Sequence, residues 1–245
     1  MAGSPRGPIC RYIDAQVPPT STDSRLGRLL PPQMRPVARD ALHAVRVRLA
    51  TRRSRRDTRA LHAPVPRRLH LGCATVYKQG WINIDQLGPG VDFEWDLRRP
   101  LPIADGSVDA IFHEHLLEHL PPTEGLALTR ECHRLLRPGG ILRIGVPDFG
   151  RYARSYVDGG SFVDTVRPDL PTPLLALSEV AYHYGHRSLW DEATLVGLLE
   201  EIGFRARACD FGESVLDPAP DSEHRKDETL YVEATSRRPL SLADD

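Results

Sequence analysis

The residues with the clearest capacity for chemistry stand at the ends of short apolar runs. Gly72, Cys73 and Ala74 close RRLHLG (67–72), and their small side chains let a ligand approach backbone N–H groups. Asp85 ends WINID (81–85), Asp96 with Leu97 ends VDFEWDL (91–97), and His113-Glu114 ends SVDAIFH (107–113). A carboxylate at the end of a second strand can accept both hydroxyls of a ribose. One at the end of a third can accept an adenine amino group. The set carries no basic residue for phosphates, which favours a phosphate-free nucleoside over ATP or a dinucleotide. The glycine signal by itself is weak, because GCAT (72–75) is neither GxGxxG nor GxxxxGK[ST]. Taken singly, Gly72 reads as an ordinary turn, and Asp85 and Asp96 as caps or solvated loop acids. In register at three successive strand ends, they read as a site.

For these ends to meet, the runs must be parallel strands in one sheet, with ligands outside the carboxyl edge. The later pattern agrees. After EHLLEHL (114–120), a polar and helix-favouring run, comes a helix over 123–136 stopped by RPGG (137–140). A fifth strand follows over 140–148. Asp191 caps a helix that runs to Ile202 and stops at Gly203, and two last strands cover 205–211 and 229–234. The 245 residues suffice for one α/β domain and an appendage. No apolar run reaches the about 18 residues of a transmembrane helix, and no secretory leader opens the chain, so a cytoplasmic location is expected. The four cysteines are single and scattered, which excludes a zinc ribbon or CxxC motif.

The net charge of −1 hides a segregation: residues 1–68 carry a balance of +11 and the remainder −12. Residues 1–34, rich in Pro, Ser, Thr and Gly, are expected to be disordered. Residues 35–56 read as a cationic helix with Val37, Ala41, Val45 and Leu49 on one stripe beside Ala38 and Leu42. It can dock on the acidic domain, lie on an anionic inner-membrane surface, or contact nucleic acid. The last is disfavoured, since no aromatics interleave with the arginines. APVP (63–66) marks the boundary, giving an extension over 1–66, a domain over 67–236 and a flexible tail over 237–245.

The blocks LHLGCATVYKQGWINID (69–85), WDLRRPLPIADGSVDAIFHEHLLEHL (95–120) and RECHRLLRPGGILRIGVPD (130–148) resemble class I S-adenosylmethionine-dependent methyltransferases. They are most similar to the small-molecule type, in a subset associated with surface-polysaccharide biosynthesis. The resemblance spans about residues 69–234. It implies a Rossmann-like, seven-stranded, mostly parallel sheet with an antiparallel last strand, and S-adenosylmethionine as cofactor. It further implies that Gly72 and Ala74 lie by the methionine part, Asp85 by the ribose, Asp96 with Leu97 by the adenine, and His113-Glu114 by the sulfonium. The family usually has Gly where this chain has Ala74.

Methyl transfer from a sulfonium is an in-line displacement, so the protein must align the acceptor and remove a proton from an acceptor hydroxyl. Candidates for the proton acceptor are His115, Glu118, His119, Asp148, His183 and His186, with His186, His183 and His119 as the catalytic set and His186 as general base. No metal is assigned. The alternative set for one is Glu118, His119, His183 and His186, by analogy with small-RNA 2′-O-methyltransferases. Residues 149–190 hold several aromatics and are too long for a tight connection, so they are expected to form an acceptor lid. The sequence thus reads as a methyltransferase acting on a small molecule, with a sugar or glycan precursor as one candidate. The alternative is a non-catalytic cofactor-binding module tethered by its basic arm. An NAD-dependent oxidoreductase lacks its glycine fingerprint.

Overall fold

A computed structural model describes residues 35–62, 66–159 and 162–237. The expected disorder of 1–34, most of the APVP boundary and the tail from 238 lie outside them.

Short runs of β-favouring residues with buried side chains make the strands β1 (Arg68–Leu71), β2 (Ile82–Asp85), β3 (Phe93–Glu94), β4 (Val108–Glu114), β5 (Leu136–Pro147), β6 (Phe204–Cys209) and β7 (Thr229–Ser236). They form one sheet in the order β3-β2-β1-β4-β5-β7-β6. All neighbours pair parallel except β7, which runs antiparallel between β5 and β6. This is the Rossmann-like sheet of the methyltransferase fold, with its order reversing at β1/β4, where a carboxyl-edge cleft opens.

The helices in chain order are α1 (Arg35–Ser54), α2 (Pro122–Leu135), α3 (Phe149–Asp158), α4 (Phe162–Val166), α5 (Pro173–Ser178) and α6 (Glu192–Ile202). One face of the sheet presents Leu69, Leu71, Ile84, Ile111, Leu142, Ile144 and Val232 to α2 and α6, whose Leu128, Leu135, Leu195 and Leu199 complete the main core. Asp191 accepts from the Thr194 N–H and Gly203 closes α6 at φ +117°, as the capping signals predict.

The opposite face is built differently. No helix among the described residues lies between β1 and β2 or between β2 and β3; the first connection turns through Gly72 and Gly80 at positive φ. What covers this face is the connector 210–228. Leu216 packs on Trp81, Ala110 and Phe112, and the connector is pinned to β5 by the fully buried Arg143. Its guanidinium meets Asp221 at 2.6 and 3.0 Å and donates to the backbone carbonyls of Glu213 and Asp210 at 2.8 and 3.1 Å.

Three local expectations change. EHLLEHL is not a helix: only Leu117–His119 forms a 3-10 turn before Pro121 and Pro122 start α2. RPGG does not separate helix from strand, because β5 pairs from Leu136 onward and absorbs Arg137–Gly140 as an irregularity opposite Val108–Ala110. In α1 the buried side is Val47, Ala50 and Thr51, against the β3 edge, while Val37, Leu42, Val45 and Leu49 are exposed. No described helix is long and apolar enough to cross a membrane.

Candidate functional site

The carboxyl edge is folded around a carboxylate. Gly72 leaves β1 at φ +66°, and a Cβ there would come within 2.8 Å of the Leu116 side chain, so only glycine lets the two strand ends close together. Ala74 sits at φ +45°, a left-handed conformation that costs an L-residue about 1–2 kcal/mol. Its N–H donates to Asp85 Oδ2 at 2.7 Å, and the Gln86 N–H donates to Oδ1 at 2.6 Å. Two amides thus fix the Asp85 carboxylate at the end of β2 and leave part of its about four lone-pair positions available. A glycine at position 74 would adopt this backbone conformation without that strain. Asp85 fits the ribose side of an adenosyl ligand as an oriented acceptor of hydroxyl hydrogens beside the Gly72–Ala74 loop, while the space a Cβ would take at Gly72 is held by Leu116.

Other expected contacts are corrected. Cys73 turns into the protein, and burial with the nearby Asp85 charge pushes its thiol up to about 12; only its backbone belongs to the loop. Asp96 is buried and gripped by Arg98 at 2.8 and 3.0 Å. Burial alone would raise its pKa, but the Arg98 hydrogen bonds bring it below the ordinary carboxylate range. It is therefore committed to Arg98, a basic residue within the site's own third strand end. Leu97 packs into the main core. His113 is fully buried with neither ring nitrogen partnered, and burial pushes it down to about 3. β4 runs one residue beyond His113, so strand alternation turns that side chain to the helix-covered face. Glu114 faces the other way and accepts from Tyr231 Oη at 2.9 Å and the Ser222 N–H at 3.1 Å. The residues that meet the Gly72–Ala74 loop are instead His115, at φ +52°, and Leu116. The signal available for this was the extra polar residue before LLEH.

Beside Ala74 lies a cavity of about 400 Å³ over the ends of β4 and β5. It is lined by Ala74, His115 and His119, by Tyr152, Val180, Tyr184 and His186 of the 149–190 segment, and by Arg225 and Glu228 of the connector. Glu118 lies beneath, almost wholly buried with neither carboxylate oxygen hydrogen-bonded, and burial pushes its pKa up to about 8. His115 bridges from Thr229 Oγ1 at 2.8 Å to Glu118 Oε1 at 3.4 Å. His186 donates its Nδ1–H to the Val180 carbonyl, a tautomer set by that partner, which leaves Nε2 basic and 4.0 Å from Glu118 Oε1. His119 and His186 rings stand edge to face at 5.0 Å, and burial lowers both below the ordinary histidine value. His183 is not part of this group: it is exposed, with its ring against Tyr184. Asp148 caps α3 by accepting from the Arg151 N–H. Between α5 and His186 the chain takes a π-turn over Glu179–His183, a rare conformation frequent at functional sites, which brings the Val180 carbonyl to His186.

Residues 78–144 match the family model described as a methyltransferase domain. The chain is 35% identical over 60 residues to a probable S-adenosylmethionine-dependent methyltransferase of Mycolicibacterium smegmatis, covering 24% of this chain and 23% of that protein. It is 38% identical over 71 residues to an uncharacterized 37.1 kDa protein in transposon TN4556 of Streptomyces fradiae, covering 29% and 20%. It thus spans between a fifth and a quarter of the length of these relatives. Among solved structures it is similar to a SAM-dependent methyltransferase from Archaeoglobus fulgidus (17% identity, TM-score 0.43, covering 78% of this chain and 94% of that one). Sheet order and matched segment define a protein with the class I methyltransferase fold. The matched segment runs from the connection before β2 into β5 and so contains Asp85 and the Glu118-His119 turn.

Proposed function

We propose that the protein is an S-adenosylmethionine-dependent methyltransferase acting on a small-molecule acceptor, with a sugar or glycan precursor as the acceptor class. The observation that carries this is continuity: Ala74, whose amide orients Asp85, also lines the cavity that holds His119 and His186. Ala74 is therefore common to the edge that carries Asp85 and to the cavity of His119 and His186 above the buried Glu118. When bound, S-adenosylmethionine supplies an electrophilic methyl group on a sulfonium. Asp85 receives the ribose hydroxyls at the Gly72–Ala74 loop, and Gly72 permits the close packing of that loop on Leu116. His186, with His119 and Glu118, activates the acceptor. Tyr152 and Tyr184 offer ring faces, and Arg167, Arg225 and Glu228 offer polar edges, a combination suited to a polyhydroxylated ring. The 149–190 segment, with its own small core of Tyr152, Val163, Ala176 and Val180, acts as the lid over it.

Calorimetry with S-adenosylmethionine and S-adenosylhomocysteine tests the cofactor site, and Asp85→Ala should weaken both by tenfold or more. Turnover against nucleotide sugars and glycan fragments tests the acceptor class, and His186→Ala should abolish it while cofactor binding persists. Cofactor binding without turnover of any acceptor would favour the second reading, a non-catalytic module. The exposed Val37, Leu42, Val45 and Leu49 of α1, set among arginines, support that reading as a tether to an anionic membrane surface.

A further inference from the structure

The donors beneath the cavity are more than a proton acceptor requires. One ligand atom each from Glu118, His119 and His186 lie within 4.8 Å of one another. Two imidazole nitrogens and one carboxylate oxygen on one side of a cavity suit a borderline divalent ion that keeps further positions open. Glu118 is the second, independent observation: a buried carboxylate with neither oxygen hydrogen-bonded, aimed into the group. An isolated buried charge of this kind is costly unless something meets it. The imidazoles are also pre-oriented. His186 Nδ1 is held by the Val180 carbonyl, so its Nε2 is free to coordinate, and the His119 ring stands edge to face against it at 5.0 Å. His115, hydrogen-bonded to Thr229, stands 3.4 Å from Glu118 Oε1 and orients that carboxylate. Arg225, which lines the same cavity, is paired with Glu228 at 2.9 Å, which offsets its repulsion of a cation.

We propose that Glu118, His119 and His186 bind a divalent transition-metal ion whose open positions face the acceptor cavity. Ion binding stands on these three residues alone; only the ion's role, holding an acceptor oxygen beside the methyl donor, rests on the function proposed above. In that role His186 activates the acceptor as a ligand of the ion.

The test uses the full chain stripped with chelator and titrated with Co²⁺ and with Zn²⁺, followed by visible absorption and calorimetry, with S-adenosylhomocysteine binding measured on every sample. One ion per chain is expected, with d–d bands of a nitrogen-and-oxygen site. Glu118→Gln and His186→Asn should each weaken Co²⁺ tenfold or more. His183→Ala, outside the group, should leave it unchanged. S-adenosylhomocysteine binding retained in the two ligand variants shows that they are folded. Absence of a stoichiometric Co²⁺ site in the unmodified chain, or equal affinity in Glu118→Gln, overturns the proposal. Either result leaves the methyltransferase reading standing if S-adenosylhomocysteine still binds. Loss of S-adenosylhomocysteine binding with Co²⁺ binding intact overturns that reading and leaves the metal site.

Discussion

The two faces of the sheet solve the same problem by opposite means. On one, leucines and isoleucines of five strands meet two amphipathic helices, and burial of apolar area supplies the stability. On the other, a connector with a single 3-10 turn (Glu223–Arg225) lies over Trp81, Phe112, Arg143 and Tyr231, and one buried guanidinium holds it down. The helical face tolerates many small changes of packing, because its contacts are numerous and non-directional. The connector face depends on a few directional contacts, each of which leaves a buried polar group exposed to loss if its partner goes. The difference teaches that a doubly wound fold can lose most of one helical layer if charge pairing replaces it.

The largest effect that can break this contrast is at Arg143. Arg143→Met leaves Asp221 buried without its cation, and denaturant unfolding should show a loss of about 3–5 kcal/mol. On the helical face Leu199→Ala should cost about 2–4 kcal/mol, the usual range for a buried leucine. If the arginine change proves milder than the leucine one, the pinning account of the connector face fails.

Two buried histidines, one on each face, sharpen the contrast through pH. Burial pushes His113 down to about 3, and pushes His70 down to about 4 although its Nδ1 bonds Asn83 Oδ1 at 2.9 Å. In the unfolded chain both return to the ordinary 6.5 and take up protons first. Stability present above pH 6.5 is therefore lost as pH falls toward those lower values, at about 1.4 kcal/mol per pH unit for each group. His113→Leu should reduce that slope by one proton and raise stability, because no hydrogen bond is given up. Equal slopes in the two proteins would show that His113 is protonated or solvated in the fold. The smallest effect expected is at the junction of site and sheet. Ala74→Gly should relieve the left-handed strain and gain about 1 kcal/mol at most, read as a higher melting temperature with cofactor affinity equal or better.

How much of this was legible in the sequence follows from which physics is local. The strands and the caps of α6 were readable, because hydrophobic runs, Asp191 and Gly203 declare themselves within a few residues. Asp85 at the end of β2 was readable for the same reason. The misread positions share a cause, in that they depend on where a strand stops or what it meets. His113 and Glu114 needed the exact end of β4. Asp96 needed the partner Arg98, only two residues away, to be recognised as bidentate. EHLLEHL has helical composition, but the prolines that open α2 leave room for a single 3-10 turn. The grouping of Glu118, His119 and His186 was visible only as a suspicion, since the π-turn that swings His186 inward has no sequence signature, and His183 looked equally suitable.

The connector 210–228 has a consequence for how substrate range can change. Its far end supplies Arg225 and Glu228 to the cavity wall, while its near part contains the carbonyls and the Asp221 carboxylate on which Arg143 depends. A graft of this stretch from a relative would therefore uncover the β-sheet at the same moment as it reshaped the entrance. Changes at Tyr152 and Tyr184 in the 149–190 segment reshape the same cavity without touching the partners of Arg143, provided the turn that holds His186 on the Val180 carbonyl is kept.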